Sequence, residues 1–307
     1  EYEKDTMWIV NMKFSLGVAF IIVMFPVFAQ TQNTTWHYDF NEEEMPQSWQ
    51  WLHETEGWPN KVKNHSVENG MLTIEPGTSG WFADKNAPFL FTLVKGDFDV
   101  RARVLASGLQ SRLPETVWSL GGLMVRVPKS TYKDEWKPKE ENWLFLTTGV
   151  AEETGKRVVE TKYTINSKSN LKLRDVEDGW ITLRIVRVGN SFILLTKLDE
   201  DKSWTVRDRY YIADLPPVLQ VGINAYTNSM AVPPQILWGD PFAFNNQTFD
   251  ELGKPDFRLL VDYITCQPAA VSFKSENPGS QWLKNVYENR LTDSQLSDKS
   301  LIKLLGE

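Results

Sequence analysis

Alternating apolar and polar positions between residues 156 and 166 give the clearest local pattern in the chain. Successive side chains of a β-strand point to opposite faces. On this spacing one face carries Val159, Thr161, Tyr163 and Ile165, and the other carries Val158, Glu160, Lys162, Thr164 and Asn166. The pattern predicts a strand with one face in a core and the other polar. Most such polar faces are solvated, so a binding role for this one needs further support.

Similar segments recur along the chain, each rich in β-branched and aromatic residues and bounded by clusters of Gly, Pro, Asp or Asn. The ten segments are 71–75, 89–94, 97–105, 121–127, 142–148, 156–166, 180–188, 191–198, 218–227 and 257–264. Gly189 and Asn190 form a two-residue loop between two of them, which is typical of a β-hairpin. Short strands at this spacing predict an all-β sandwich.

The C-terminal part changes character after Gln267. A Ser/Asn/Pro/Gly cluster at 275–280 predicts a linker, and Ser297 is a candidate N-cap for a short helix. The apolar stripe of that helix would consist of Leu301, Ile302, Leu304 and Leu305. We expect residues 30–268 to form the sandwich, and 269–307 to form a linker and short helix packed on it. Attachment to a partner protein through this tail, as in an adhesion or scaffold domain, is the alternative.

The N-terminal segment is typical of a secretory signal. From Met12, one Lys precedes an apolar run over 14–28 that ends in a small-residue cleavage site. A membrane-spanning helix needs about 20 apolar residues, and this run is shorter and contains Pro26. We interpret 12–29 as a signal peptide and 1–11 as upstream translated residues. The expected protein is secreted, extracellular or periplasmic, with no membrane contact after cleavage; an uncleaved anchor is the alternative.

Composition narrows the classes of partner. With 41% hydrophobic and 24% charged residues among 307, the chain has an ordinary globular composition. A formal charge of -7 argues against a nucleic-acid partner, because such proteins concentrate Lys and Arg. The 13 Trp residues supply rings that fill a core or stack on flat ligands. No zinc motif or EF-hand loop is present, so no cofactor is expected; a structural Ca²⁺ held by loop carbonyls would leave almost no trace in a sequence.

Several motifs, in their order along the chain, resemble the concanavalin A-like lectin/glucanase superfamily, and the chain looks most like its DUF1349-type domains. The motifs are GWF from Gly80, GDFDVRARV from Gly96, GGLMVRV from Gly121, NWLFLTTG from Asn142, ETKYTINSKSNLKL from Glu160, GWITLRIVRVGNSF from Gly179 and DLPPVLQVGINAYT from Asp214. The resemblance covers residues 36–268. It implies a jelly roll of two packed antiparallel sheets, in a superfamily that includes sugar-binding modules, glycoside hydrolases and polysaccharide lyases.

If the strands pair in this way, the polar residues on the face opposite the core form a hydrogen-bonding surface that suits a carbohydrate. The candidate ligand-binding residues are Arg101, Arg103, Arg126, Lys162, Gln220, Asn224 and Tyr226, with Glu160 beside them. Arg, Asn and Gln present fixed donors that match sugar hydroxyls or carboxylates. The candidates for stacking on a pyranose ring are Trp81, Trp136 and Trp143. Trp143 lies inside a predicted strand, and a place in the core is its alternative role.

The alternative function is a polysaccharide-degrading enzyme with Glu160 as the candidate acid or base. The resemblance implies that a retaining glycosidase of this fold carries alternating acidic residues on one strand, with the two catalytic carboxyl groups about 5–5.5 Å apart. That motif is absent from the sequence. A lyase needs a base and a group that neutralises the carboxylate of a uronate. Tyr226 or Tyr163 as the base, with Arg126 or Arg103 as the neutralising group, stays an open alternative. The sequence favours carbohydrate binding and leaves the enzymatic alternative undecided.

Overall fold

Two antiparallel β-sheets packed face to face form the fold of the part of the chain that the structure describes. The structure is a computed structural model and describes residues 35–42, 44–249, 251–271 and 290–307. The expected signal peptide, the residues before it and most of the expected linker lie outside these ranges. Within the described ranges each sheet has eight strands, which confirms the predicted sandwich.

Sheet I consists of β2 (Gln50–Trp51), β5 (Thr78–Ser79), β6 (Phe89–Lys95), β8 (Ser119–Arg126), β9 (Trp143–Val150), β10 (Arg157–Ile165), β11 (Lys168–Asp175) and β15 (Val218–Asn228). Its strand order is β11-β10-β9-β8-β15-β6-β2, and β5 pairs with β15 in parallel.

Sheet II has the order β14-β13-β12-β7-β16-β4-β3, and β1 pairs with β16. Its strands are β1 (Trp36–Tyr38), β3 (Val62–Glu68), β4 (Met71–Pro76), β7 (Phe98–Ser107), β12 (Ile181–Val188), β13 (Ser191–Leu198), β14 (Thr205–Tyr211) and β16 (Arg258–Gln267).

The helices of the described residues are short. They are α1 (Leu52–Glu56), α2 (Pro234–Gly239), α3 (Pro241–Asn245) and α4 (Asp298–Leu304), with 3₁₀ turns η1 (Lys133–Glu135) and η2 (Ser229–Ala231). Pro at the first position starts both α2 and α3, where its missing N–H costs nothing. In the described ranges, every helix falls short of the length and apolarity that crossing a bilayer requires.

The space between the sheets is filled by alternate side chains of the long strands. Sheet I contributes residues such as Leu123, Leu146, Val159 and Val221, and sheet II contributes residues such as Val100, Leu183 and Leu259. Val159 lies in this core and Glu160 faces away from it, which confirms the alternation predicted for β10. The outer face of sheet I is therefore where the polar positions of β10 are presented.

All ten predicted strands are present, and the predicted hairpin is confirmed by the pairing of Val188 with Ser191 around Gly189, whose φ is 58°. The longer strands that the pattern missed are β3, β11 and β14. Each lies at or next to the edge of its sheet and has mostly exposed or half-buried residues. Little apolar alternation is required of an edge strand, so its sequence carries a weak signal.

Helix α4 packs against the outer face of sheet II. Ser297 caps it, because the Ser297 side chain accepts a hydrogen bond from the Ser300 N–H. Leu301 and Leu305 are buried among apolar residues of β12 and β13. Leu304, in contrast, is 51% exposed, so the predicted apolar stripe is wrong at that position. Leu301 and Leu305 belong to the apolar cluster on sheet II, and Leu304, the last residue of the helix, does not.

We expect Leu301→Ala to lower the free energy of unfolding by about 2–4 kcal/mol, because it leaves a cavity in a packed interface. Leu304→Ala is the matched control and should change it by less than about 0.5 kcal/mol. Urea unfolding of the full chain measures both. Equal small effects would show that α4 does not pack on sheet II in solution.

Candidate functional site

The outer face of sheet I is covered, which corrects the expectation of a solvated polar face. Helix α1, residues 80–88 and the segment from η2 to α3 lie over it and bring their own apolar side chains. Glu160 is consequently 0% exposed and Lys162 4% exposed. A charged pair is rarely buried without a specific arrangement of partners, so the burial of Glu160 and Lys162 indicates a candidate functional site.

Glu160 lies at the centre of a buried polar cluster contributed by three strands. Its Oε2 accepts hydrogen bonds from the Tyr226 hydroxyl and, at 3.4 Å, from Thr147 Oγ1. Its Oε1 lies 3.4 Å from Lys162 Nζ, which is an ion-pair distance, and receives no hydrogen bond. The carboxylate is thus balanced by one ammonium and oriented by two hydroxyl groups.

Tyr226 crosses two strands to reach this carboxylate. It pairs with Leu120 of β8, whereas Glu160 lies on β10, two strands further on. Along this path β8 and β9 carry Gly122 and Gly149, with φ of 158° and 151°. A Cβ would lie 2.5 Å from the Leu146 oxygen at Gly122 and 2.1 Å from the Ser119 oxygen at Gly149. Both positions therefore require glycine, because a side chain would collide with the backbone of the neighbouring strand.

The protonation state of Tyr226 follows from its surroundings. Burial, and then the negative charge of Glu160, raise the pKa of the Tyr226 hydroxyl well above its ordinary value. The phenol stays neutral and donates its proton to the carboxylate. A tyrosinate base, which the lyase alternative requires, is disfavoured at this position.

A cavity of about 300 Å³ lies directly above Lys162 and Tyr226. Its lining is mostly apolar and aromatic: Trp81, Phe82, Trp118, Leu171, Met230, Leu237 and Trp238, with Gly80, Ser169 and Ser229. Trp238 is 63% exposed, and Leu171 and Met230 are also exposed. The cavity is therefore open on the side of Trp238, and the buried residues Lys162 and Tyr226 form its floor.

Two residues next to the cavity have left-handed backbone conformations. Trp118, immediately before β8, has φ of 54°, and Asn228, at the end of β15, has φ of 56°. A bulky residue at positive φ is uncommon and marks a backbone that its surroundings hold in place. At Trp118 the N–H bonds to the Ala151 carbonyl at 2.8 Å. These turns place Trp118 and the Ser229–Met230 pair in the lining.

Further unpaired polar atoms lie on the same covered face. Asn224 is fully buried, and neither atom of its amide has a hydrogen-bond partner among the described residues. The indole N–H groups of Trp81 and Trp143 are also buried and unpaired there. Leaving such a group unpaired costs about 1–3 kcal/mol, so they are unusual in a layer that serves packing alone.

Lys61 fastens the cover of the cavity. Its ammonium donates to the Asn86 carbonyl at 3.2 Å, to Asn86 Oδ1 at 3.1 Å and to the Phe244 carbonyl at 3.0 Å. Asn245 adds hydrogen bonds to the Asn86 N–H and the Asp84 carbonyl. The segment that carries Trp81 is thereby joined to α3. Burial lowers the pKa of Lys61 to about 7.

Arg126 and Gln220 lie on the same face of sheet I but form a separate network. Arg126 is 1% exposed and contacts Glu141 through two nitrogens at 2.9 and 3.0 Å. It also donates to Glu56 at 2.6 Å and to Gln220 Oε1 at 2.9 Å. These contacts tie α1 and the segment before β9 to the sheet. The Arg126 guanidinium is thus engaged by protein groups, and neither residue lines the cavity.

Arg101 and Arg103 lie on sheet II, so the expectation that all these side chains share one face is wrong. Their strand, β7, pairs with β12 and β16, on the far side of the core from β10. Arg101 bonds to Asp99, and Arg103 bonds to Asp199 and Asp262. Alternation along each strand was predicted, but which sheet a strand joins depends on long-range pairing that the alternation does not specify.

The predicted tryptophans have different places. Trp81 lies in the cavity wall, fully buried. Trp143 stacks on Phe145 with 5.2 Å between centroids and contacts Trp81 edge-on. Trp136 packs against Phe242, away from the lining. Trp118 and Trp238, which do line the cavity, were not predicted, because they lie outside the alternating strands where only an abundance of Trp signalled a role.

A metal site has no support in the part of the chain that the structure describes. There, three or more His, Cys, Asp or Glu side chains never come together in a way that could hold an ion.

Comparison with known proteins finds likeness in fold. No family model and no curated protein match the chain. A functionally unknown protein from Saccharomyces cerevisiae is 16% identical with a TM-score of 0.47, over 72% of this chain and 96% of that one. A xylan β-1,4-xylosidase from Bacillus halodurans is 11% identical with a TM-score of 0.49, over 78% of this chain and 40% of that one. A β-1,3-glucanase from Mycobacterium marinum is 12% identical with a TM-score of 0.45, over 78% of this chain and 100% of that one. Likeness of this degree assigns no activity to the chain.

The buried Lys61 predicts a pH dependence of stability. Its pKa is about 7 in the folded protein and about 10.4 in an unfolded chain. Between these values the unfolded chain binds the extra proton, so the free energy of unfolding rises with pH, by up to about 1.4 kcal/mol per unit. Lys61→Met should remove this contribution.

Urea unfolding between pH 6.5 and 9.5 measures the effect as the difference in slope between wild type and variant. Lys63→Met removes an exposed lysine two residues away and should keep the wild-type slope. Identical slopes for wild type and Lys61→Met would contradict the burial of a lysine with lowered pKa.

Proposed function

We propose that this protein binds a carbohydrate in the cavity on the outer face of sheet I. The proposal includes export of the chain through the signal peptide and kinship with DUF1349-type domains of the concanavalin A-like superfamily. The observation that carries it is a cavity with aromatic walls next to the buried cluster of Glu160, Lys162 and Tyr226. Trp118 and Trp238 belong to its walls, and Lys162 and Tyr226 line it beside Glu160.

This combination suits a sugar. The C–H faces of a pyranose are apolar and stack on flat rings, whereas its hydroxyls need hydrogen-bond partners. Ligand cavities generally have apolar walls and a few well-placed polar groups, with volumes of about 300–1,000 Å³. At about 300 Å³ this one is at the small end of that range, which suits one or two sugar units.

Binding is favoured over hydrolysis by the position of the carboxylates. No Asp or Glu is among the described residues that line the cavity. Glu160 lies beneath the floor, and its partners are a phenol, an ammonium and a threonine hydroxyl. A glycosidase of the two-carboxylate kind needs a second acid about 5–9.5 Å away, next to the scissile bond. We therefore assign Glu160 the role of orienting Lys162 and Tyr226.

The test is a glycan array followed by calorimetric titration of the strongest neutral oligosaccharide. Trp118→Ala and Trp238→Ala should each lower its affinity by roughly tenfold, which corresponds to about 1.4 kcal/mol for a lost stacking contact. Tyr211→Ala removes an exposed aromatic ring from β14 and should leave affinity unchanged.

The same samples are assayed for new reducing ends and for unsaturated uronates, and we expect neither product. Equal affinity of all three variants would place the glycan elsewhere on the protein. Product formation that Glu160→Gln abolishes would replace binding by catalysis as the function of this cavity.

A further inference from the structure

The charges at the cavity floor cancel. Lys162 is the one charged side chain among the described residues that line the cavity, and it lies 3.4 Å from the Glu160 carboxylate. Both groups are buried, so their interaction with a third charge would be screened weakly. An anionic group entering the cavity would approach the ammonium but would also meet the field of the carboxylate behind it.

The hydrogen-bonding capacity of the floor is specific as well. An ammonium has three N–H donors, and Lys162 has no contact with an acceptor other than Glu160 in the described ranges. The Tyr226 proton is directed to Glu160, so the phenol oxygen can act toward a ligand only as an acceptor. Of the two polar residues of the floor, Lys162 can only donate and Tyr226 can only accept.

A sugar hydroxyl matches this pair, because it accepts from Lys162 and donates to the Tyr226 oxygen at the same time. A carboxylate only accepts, so it would leave the phenol oxygen facing an anion. From this geometry we propose that the cavity selects neutral glycans over uronate-containing ones, and that Glu160 sets this preference through Lys162 and Tyr226. The inference rests on the proposed carbohydrate binding and names its ligand class.

The experiment uses matched probes: cellohexaose and laminarihexaose, each compared with the same hexamer oxidised at C6 to the uronate. Calorimetric titration of the full chain should show at least a tenfold preference for the neutral member of the pair that binds. Glu160→Gln keeps an acceptor for Tyr226 but removes the negative charge, so it should shift the preference at least tenfold toward the uronate. Glu75→Gln, the same change on sheet II where Glu75 pairs with Arg258, should not shift it.

Two further variants keep the test decisive if Glu160→Gln folds poorly, which circular dichroism and thermal unfolding would reveal. Tyr226→Phe should weaken binding of the neutral glycan without weakening binding of the uronate, which narrows the preference. The double variant Glu160→Gln/Lys162→Met removes both charges of the pair, so the site has no net charge, as in the wild type. It should therefore prefer neutral glycans again.

Three results would overturn the inference. Stronger binding of the uronate by wild type would exclude selection for neutral glycans while leaving the proposed function intact. A preference that neither Glu160→Gln nor Tyr226→Phe alters would show that the cluster does not set it. Binding of neither member of either pair would remove the proposed function and the inference with it.

Discussion

Burial of the Glu160 carboxylate is the constraint on which the rest of the site depends. An isolated buried carboxylate is very costly, and pairing and hydrogen bonding are what make it tolerable. The partners come from β10 itself, from the preceding strand β9 and from β15, which is distant from both in sequence. The position of Tyr226 in turn requires the strand order of sheet I, in which β8 and β9 lie between β15 and β10. The cluster is therefore a property of the whole sheet.

Buried charges with hydrogen-bond partners also occur where the covering segments meet the rest of the fold. Lys61 meets three carbonyl or amide oxygens, and Arg126 meets Glu56, Glu141 and Gln220. The Arg126 network joins α1 to sheet I, and the Lys61 network joins residues 84–86 to α3. Asn224 differs from these groups, because both its amide atoms are unpaired among the described residues. The networks hold the walls in place, whereas Trp81 in the wall and Asn224 on the same face of sheet I keep buried polar atoms without a partner among the described residues.

Much of the fold could be predicted from sequence, because the buried strands alternate strongly and Gly189 with Asn190 marks a hairpin. The two faces of β10, with Glu160 and Lys162 on the side away from the core, were also predictable from spacing alone. The partition of strands between sheets was not, and this is why Arg101 and Arg103 were grouped with residues on the far side of the core. The cover was missed for a related reason: α1, α2 and α3 have at most six residues each and show no helical period. Without the cover, a buried ion pair looks like a solvated sheet surface, and Trp118 and Trp238 have no visible connection to it.

A crystal structure of the protein with a neutral oligosaccharide would show where the ligand binds. We expect a sugar unit between Trp118 and Trp238, with one hydroxyl within about 3.2 Å of both Lys162 Nζ and Tyr226 Oη. A sugar bound on sheet II near Arg101 and Arg103, or a sugar in the cavity with no polar contact to Lys162 or Tyr226, would contradict this expectation.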